Sequence, residues 1–80
     1  MKYTVVASLD NVHSLGESVH FTVVGEYNTR AMAESALLQV ARGATMAFGL
    51  SLDDVDFTDD SASLELMRGV TCEWFIKEED

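Results

Sequence analysis

The sequence predicts an α+β domain, a ββαββ antiparallel sheet with one helix packed on one face. Three observations carry that reading. Apolar residues alternate over residues 2–9, 19–26, 62–66 and 70–77, which is strand spacing. Residues 30–48 instead repeat their apolar positions at helical spacing. In the order strand–strand–helix–strand–strand, one helix is left to cover one face of an antiparallel sheet.

In the first strand Tyr3, Val5, Ala7 and Leu9 point one way, and Thr4, Val6 and Ser8 the other. Asp10 to Ser18 is polar, contains Gly16 and reads as a hairpin loop. In the second strand Val19, Phe21 and Val23 share one face and His20, Thr22 and Val24 the other, with Gly25 or Glu26 ending it. Asn28 or Thr29 supplies the helix N-cap and Gly49 the C-terminal cap. On a helical wheel Ala33, Ala36, Leu37, Val40, Ala44 and Ala47 form the core stripe, while Arg30, Glu34, Ser35, Gln39, Arg42 and Thr45 fall mostly opposite. A stripe of small residues lets the helix lie close to the sheet. Gly43 inside the helix costs roughly 1 kcal/mol relative to alanine, which close packing or a bend would justify. Ser51-Leu52-Asp53-Asp54 makes one capped turn, Val55–Phe57 a short strand or extended piece, and Asp59-Asp60 a turn. Ala62, Leu64 and Leu66 then alternate with Ser63 and Glu65. After a turn at Arg68-Gly69, Val70, Cys72, Trp74 and Ile76 alternate with Thr71, Glu73, Phe75 and Lys77. Residues 78–80 are expected to fray. The expected core joins Leu37 and Val40 to Val5, Phe21, Leu64 and Trp74.

A chain of 80 residues suits one acidic domain, 1–80, with one core. Its 48% apolar content is too high for a disordered chain. No apolar run approaches the ~20 residues of a membrane helix, and Met1-Lys2-Tyr3-Thr4-Val5-Val6 reads as a strand rather than a signal peptide. Cys72 is the single cysteine, so no intrachain disulfide forms, and the expected compartment is the reducing cytoplasm. The formal charge is −9, divided as −1 over residues 1–50 and −8 over residues 51–80. Direct binding to nucleic acid needs clustered Lys and Arg and is not expected. A basic protein or a nucleic-acid-binding complex is the expected partner. The alternative is that the charge serves solubility.

The residue types show no set for catalysis, and no cofactor or metal is expected. Counted from Asp54, residues Asp54, Asp56, Thr58 and Glu65 match the first, third, fifth and twelfth positions of a calcium-binding EF-hand loop. The sixth position is Asp59 where the turn needs Gly, and a strand follows Glu65 where a helix should exit. The two histidines, His13 and His20, with one thiol do not make a zinc set. Cys72 shares a face with Trp74 and Ile76 and reads as a buried, inert thiol. Isolated glycines give no phosphate-binding loop. What remains is surface: Asp53, Asp54, Asp56, Asp59 and Asp60 within eight residues, with Glu65, Glu73 and Phe75, as a partner-binding set. Phe75 with Val6 and Val24 on the sheet face away from the helix, or Leu38 with Met46 on the helix, are candidate patches for a homodimer.

The opening Met1-Lys2-Tyr3-Thr4-Val5-Val6 resembles the start of HicB-type antitoxins. The aromatic-proline segment found before the helix there is missing, and this chain has no proline, so that likeness is set aside. In charge and plan the chain resembles small phage-encoded inhibitors, among them anti-CRISPR proteins and other DNA mimics. The features are the strand hairpin, an alanine-rich helix starting around Asn28-Thr29-Arg30-Ala31-Met32-Ala33, and a closing hairpin. This resemblance covers the whole chain, rests on architecture and charge, and assigns no residue roles. It implies an inhibitor in the host cell cytoplasm that occupies a basic nucleic-acid-binding surface on a defence complex. The second expectation is a self-associating structural or accessory domain whose charge serves solubility. Ionic strength separates the two, because charge-driven pairing weakens steeply with salt.

Overall fold

In a computed structural model the described residues are 1–11 and 19–79. They form β1 (Lys2–Asn11), β2 (Val19–Tyr27), α1 (Arg30–Ala47), a 3-10 turn at Leu52–Asp54, β3 (Asp56–Phe57), β4 (Ser61–Met67) and β5 (Val70–Glu79). The strands make one antiparallel sheet in the order β2-β1-β5-β4-β3, with α1 against one face. This is the expected α+β architecture, with residues 56–57 adding a short edge strand. β1 runs through Asp10 and Asn11, which were expected in a loop; residues 12–18 of that loop lie outside the described residues.

Local chemistry sets the helix ends. Thr29 is the N-cap, its hydroxyl accepting from the Met32 N–H at 3.2 Å. At the other end Leu50 N–H donates to Thr45 C=O at 2.7 Å and Gly49 N–H to Met46 C=O at 3.5 Å. Gly49 takes φ +67 between them, the left-handed conformation that lets a glycine close this double cap. The 3-10 turn has a capping box of its own. Ser51 Oγ accepts from Asp53 N–H, and Ser51 N–H donates to Asp54 Oδ2 at 2.9 Å.

The core lies between α1 and the strands β1, β5 and β4: Val5, Ala33, Leu37, Ala41, Val55, Ala62, Leu64, Trp74 and Ile76. Two expectations about its facing surfaces need correction. The buried stripe of α1 is Ala33, Leu37, Ala41 and Thr45, with Val40 and Ala44 at its margin and Ala47 exposed. It is rotated from the expected stripe because Thr45, a polar residue, can be buried. Its hydroxyl donates to Arg42 C=O at 2.7 Å within the same helix.

The second correction concerns β2. Tyr27 pairs with Tyr3 and Gly25 with Val5, but the register then shifts, so that Val23 pairs with Val6 and Phe21 with Ser8. Val24 is the extra residue of a β-bulge, which inverts the faces of everything before it. Phe21 and Val23 therefore lie on the open face of the sheet, 66% and 61% exposed, not in the core. Thr22, expected on the open face, pairs with Ala7 on the helix side.

The C-terminal end of β5 is held in place, contrary to the expected fraying at residues 78 and 79. Glu78 Oε1 accepts from Arg30 Nη1 at 2.9 Å, and Arg30 Nη2 donates to Asp59 C=O at 3.2 Å. This ties α1, β5 and the β3–β4 turn together.

Gly43 is exposed, and a Cβ built there meets nothing within 4 Å. Close packing therefore does not justify the glycine. Gly43→Ala should stabilise the fold by about 0.5–1 kcal/mol, because alanine loses less backbone entropy in a helix. A urea midpoint that stays put or falls would show that a glycine backbone is needed there.

Candidate functional site

The open face of the sheet, opposite α1, gathers the most chemistry. Cross-strand registers give its layout, since directly paired residues share a face. At one end Lys2 and Lys77 lie close to acidic partners: Lys2 Nζ is 3.6 Å from Glu26 and Lys77 Nζ is 3.7 Å from Glu79. Next comes an apolar band, Val23–Val6–Phe75. Beyond it the row Phe21–Ser8–Glu73–Ser63–Asp56 crosses the whole sheet. A last row follows, Asp10–Thr71–Glu65.

The polar end is therefore acidic and rich in hydroxyls. Ser8, Asp10, Ser63, Thr71 and Glu73 line a shallow hollow of about 330 Å³. Asp10, Asp56, Glu65 and Glu73 are exposed, and none of them makes an ion pair among the described residues. Arg68 stands in the β4–β5 turn at this end and has an interaction of its own. Thr4 stands in one row with Glu26 and Lys77, beside the apolar band; it is 5% exposed, and its Oγ1 has no hydrogen-bond partner among the described residues. That orphan hydroxyl is a local cost of the face.

The eight residues expected to bind a partner separate into two groups. Asp56, Glu65, Glu73 and Phe75 come together on the open face. Asp53, Asp54, Asp59 and Asp60 sit at the β3 edge, in the 3-10 turn and the β3–β4 turn. Several of these have structural work. Asp54 caps the 3-10 turn, Asp59 offers its carbonyl to Arg30, and Asp60 Oδ1 accepts from Thr58 Oγ1 at 3.2 Å. The face also holds residues that were not in the set: Asp10, brought in because β1 is longer than expected, and Phe21 and Val23, brought in by the bulge. Gly25 inside a strand followed by Tyr27 was the available signal for that bulge.

Other chemistry is sparse. Among the described residues no three His, Cys, Asp or Glu side chains gather in a way that would hold a metal ion. No described helix is long and apolar enough to cross a membrane. Cys72 is half-buried, paired in register with Leu9 and Leu64, and desolvation pushes its thiol above the ordinary value. A raised folded-state value favours the protonated thiol. The stability this contributes is complete below the unfolded-chain value and is lost as pH rises through the folded one, so it fades above about pH 8.5. Iodoacetamide at pH 8 should alkylate Cys72 several-fold more slowly in the folded chain than in urea. Equal rates would place the thiol in solvent.

A second hollow, of about 250 Å³, lies between the end of β2 and the helix, lined by Tyr27, Met32, Ser35, Ala36 and Gln39. It contains no ionisable group other than the Tyr27 phenol. Compared with known proteins, the chain matches no family model, and no curated protein or solved structure is significantly similar to it.

Proposed function

We propose that this chain is a protein-binding inhibitor that docks the open face of its sheet on a basic, nucleic-acid-binding surface of its partner. The observation that carries the reading is the acidic end of that face. Asp10, Asp56, Glu65 and Glu73 stand exposed there beside hydroxyl groups and next to the apolar band that includes Phe75. Carboxylates spaced over neighbouring strands offer Lys and Arg side chains what phosphates offer them, charge-assisted acceptors. The apolar band supplies the desolvated centre that charge by itself does not. The lysines of the same face lie at its far end, beside Glu26 and Glu79, and leave the acidic end negative.

The face differs from the acidic turn as a docking surface in one physical respect. On neighbouring strands the backbone ladder fixes how far apart the carboxylates stand, so their spacing is set before a partner binds. The reading places the chain among binding proteins rather than enzymes. It is tested by capture from host lysate on the immobilised chain at low salt, followed by purification of the captured protein. That protein should bind nucleic acid on its own and release it when the chain is added. A partner that keeps its nucleic acid with the chain bound would contradict the reading.

A further inference from the structure

Thr71 stands on the open face among three carboxylates. Asp10 of β1 and Glu65 of β4 pair with it directly on either side, and Glu73 is two residues along the same strand. Ser8 and Ser63 flank Glu73 in the next row. Ser8, Asp10, Ser63, Thr71 and Glu73 line the hollow of about 330 Å³. Asp10, Glu65 and Glu73 are exposed and make no ion pair among the described residues. On its other side the hollow borders the row of Val6 and Phe75.

We propose that this hollow is an arginine socket, which takes the guanidinium of one arginine on the surface of the partner. The proposal rests on the reading of the open face as the docking surface and names the group that the face receives. Spacing selects the cation. Glu73 is a diagonal cross-strand neighbour of both Asp10 and Glu65, ~7–8 Å from each between Cα atoms. Asp10 and Glu65 are two strand spacings apart, ~10 Å. Among the described residues no three acidic, His or Cys side chains gather in a way that would hold a metal ion. A compact cation is therefore left with one carboxylate. A guanidinium spreads its N–H donors around a planar fork. It can give two to one carboxylate and the rest to a second carboxylate or to the hydroxyls of Ser8, Ser63 and Thr71.

Hydration works in the same direction. An ammonium is a strongly hydrated point charge, whereas a guanidinium is more weakly hydrated and stacks on aromatic faces. The row of Val6 and Phe75 offers the arginine stem an apolar wall, and the half-buried Phe75 is two residues along β5 from Glu73 on the same face. The net −8 of residues 51–80 attracts any cation and does not distinguish arginine from lysine. The acceptor layout does. Arginine is also among the residues that most often anchor the desolvated centre of an interface.

The test uses the chain alone. End-blocked tripeptides with arginine, lysine or citrulline between two glycines are titrated into the labelled chain at low salt, and amide chemical shifts are followed. The arginine peptide should shift Ser8, Ser63, Thr71 and Glu73 and bind about threefold or more tighter than the lysine peptide. Citrulline keeps the shape of arginine without the charge, and its peptide should bind too weakly to measure. Glu73→Gln should weaken the arginine peptide about threefold or more. Asp53→Asn makes the same charge change at the β3 edge and should leave binding unchanged. Equal binding of the arginine and lysine peptides, equal weakening by the two variants, or shifts centred on the 3-10 turn would each overturn the proposal. Should Glu73→Gln fail to fold, the arginine–lysine comparison on the wild type decides. No partner protein takes part, so this test and the capture experiment fail separately. A chain without preference for arginine that still releases the partner's nucleic acid ends this proposal and keeps the docking reading. A chain that prefers arginine, with a partner that keeps its nucleic acid, does the reverse.

Discussion

Leu64→Ala should lower the stability of this domain by about 2–5 kcal/mol. Leu64, on β4, is 1% exposed, in register with Cys72 of β5 and in the same core cluster as Leu37 and Trp74. Removing its side chain opens a cavity that a five-stranded sheet with its helix cannot easily close. For a chain of this length the whole stability is on the order of 4–12 kcal/mol, so the loss is a large fraction of it. Phe21→Ser, by contrast, should cost under about 1 kcal/mol, since the ring is mostly in solvent. Urea denaturation followed through the single tryptophan, Trp74, measures both. Equal losses would put Phe21 back in the core and remove the bulge at Val24.

The second large effect concerns association. Neutralising the acidic end of the open face with Asp10→Asn, Glu65→Gln and Glu73→Gln should slow association with a basic partner about tenfold or more at low salt. Facing charges steer encounter, and the difference should shrink at moderate salt. Neutralising Asp53, Asp59 and Asp60 at the β3 edge should change the rate much less. Asp54 is left out of that second variant, because its carboxylate closes the capping box on Ser51 and its loss would weaken the 3-10 turn. Stopped-flow mixing at two ionic strengths reads both variants. Equal slowing by the two would spread the docking surface over the whole acidic half of the chain.

Features written in local side-chain chemistry were legible in the sequence. An N-cap at Asn28 or Thr29 (the structure uses Thr29), Gly49 past the helix and the Ser51 turn each follow from a hydrogen bond or a backbone conformation that few residues supply. The strict alternation of 62–66 and 70–77 likewise placed Glu65, Glu73 and Phe75 on the face away from the helix, where they are found. Features set by pairing were not legible. Gly25 inside the strand hints at an irregularity, but which residue is extra shows only in the pairing of Gly25 with Val5 and of Val23 with Val6, which leaves Val24 bulged. Asp10 reads as a loop residue until its pairing with Thr71 and Val19 holds it in the strand. Thr45 misplaced the helix stripe because hydropathy does not register a hydroxyl satisfied by its own helix. The aspartates from 53 to 60 form a cluster in sequence, but the fold divides them between a cap, an edge strand and a turn.

Amide chemical-shift mapping on the labelled chain, as the captured partner is titrated in, tests the docking face most directly. The account predicts shifts concentrated at Asp10, Ser63, Glu65, Thr71, Glu73 and Phe75, with Leu38, Arg42 and Met46 on the outer helix surface unmoved. Shifts confined to the helix surface, or to the 3-10 turn and the β3–β4 turn with the open face silent, would contradict it.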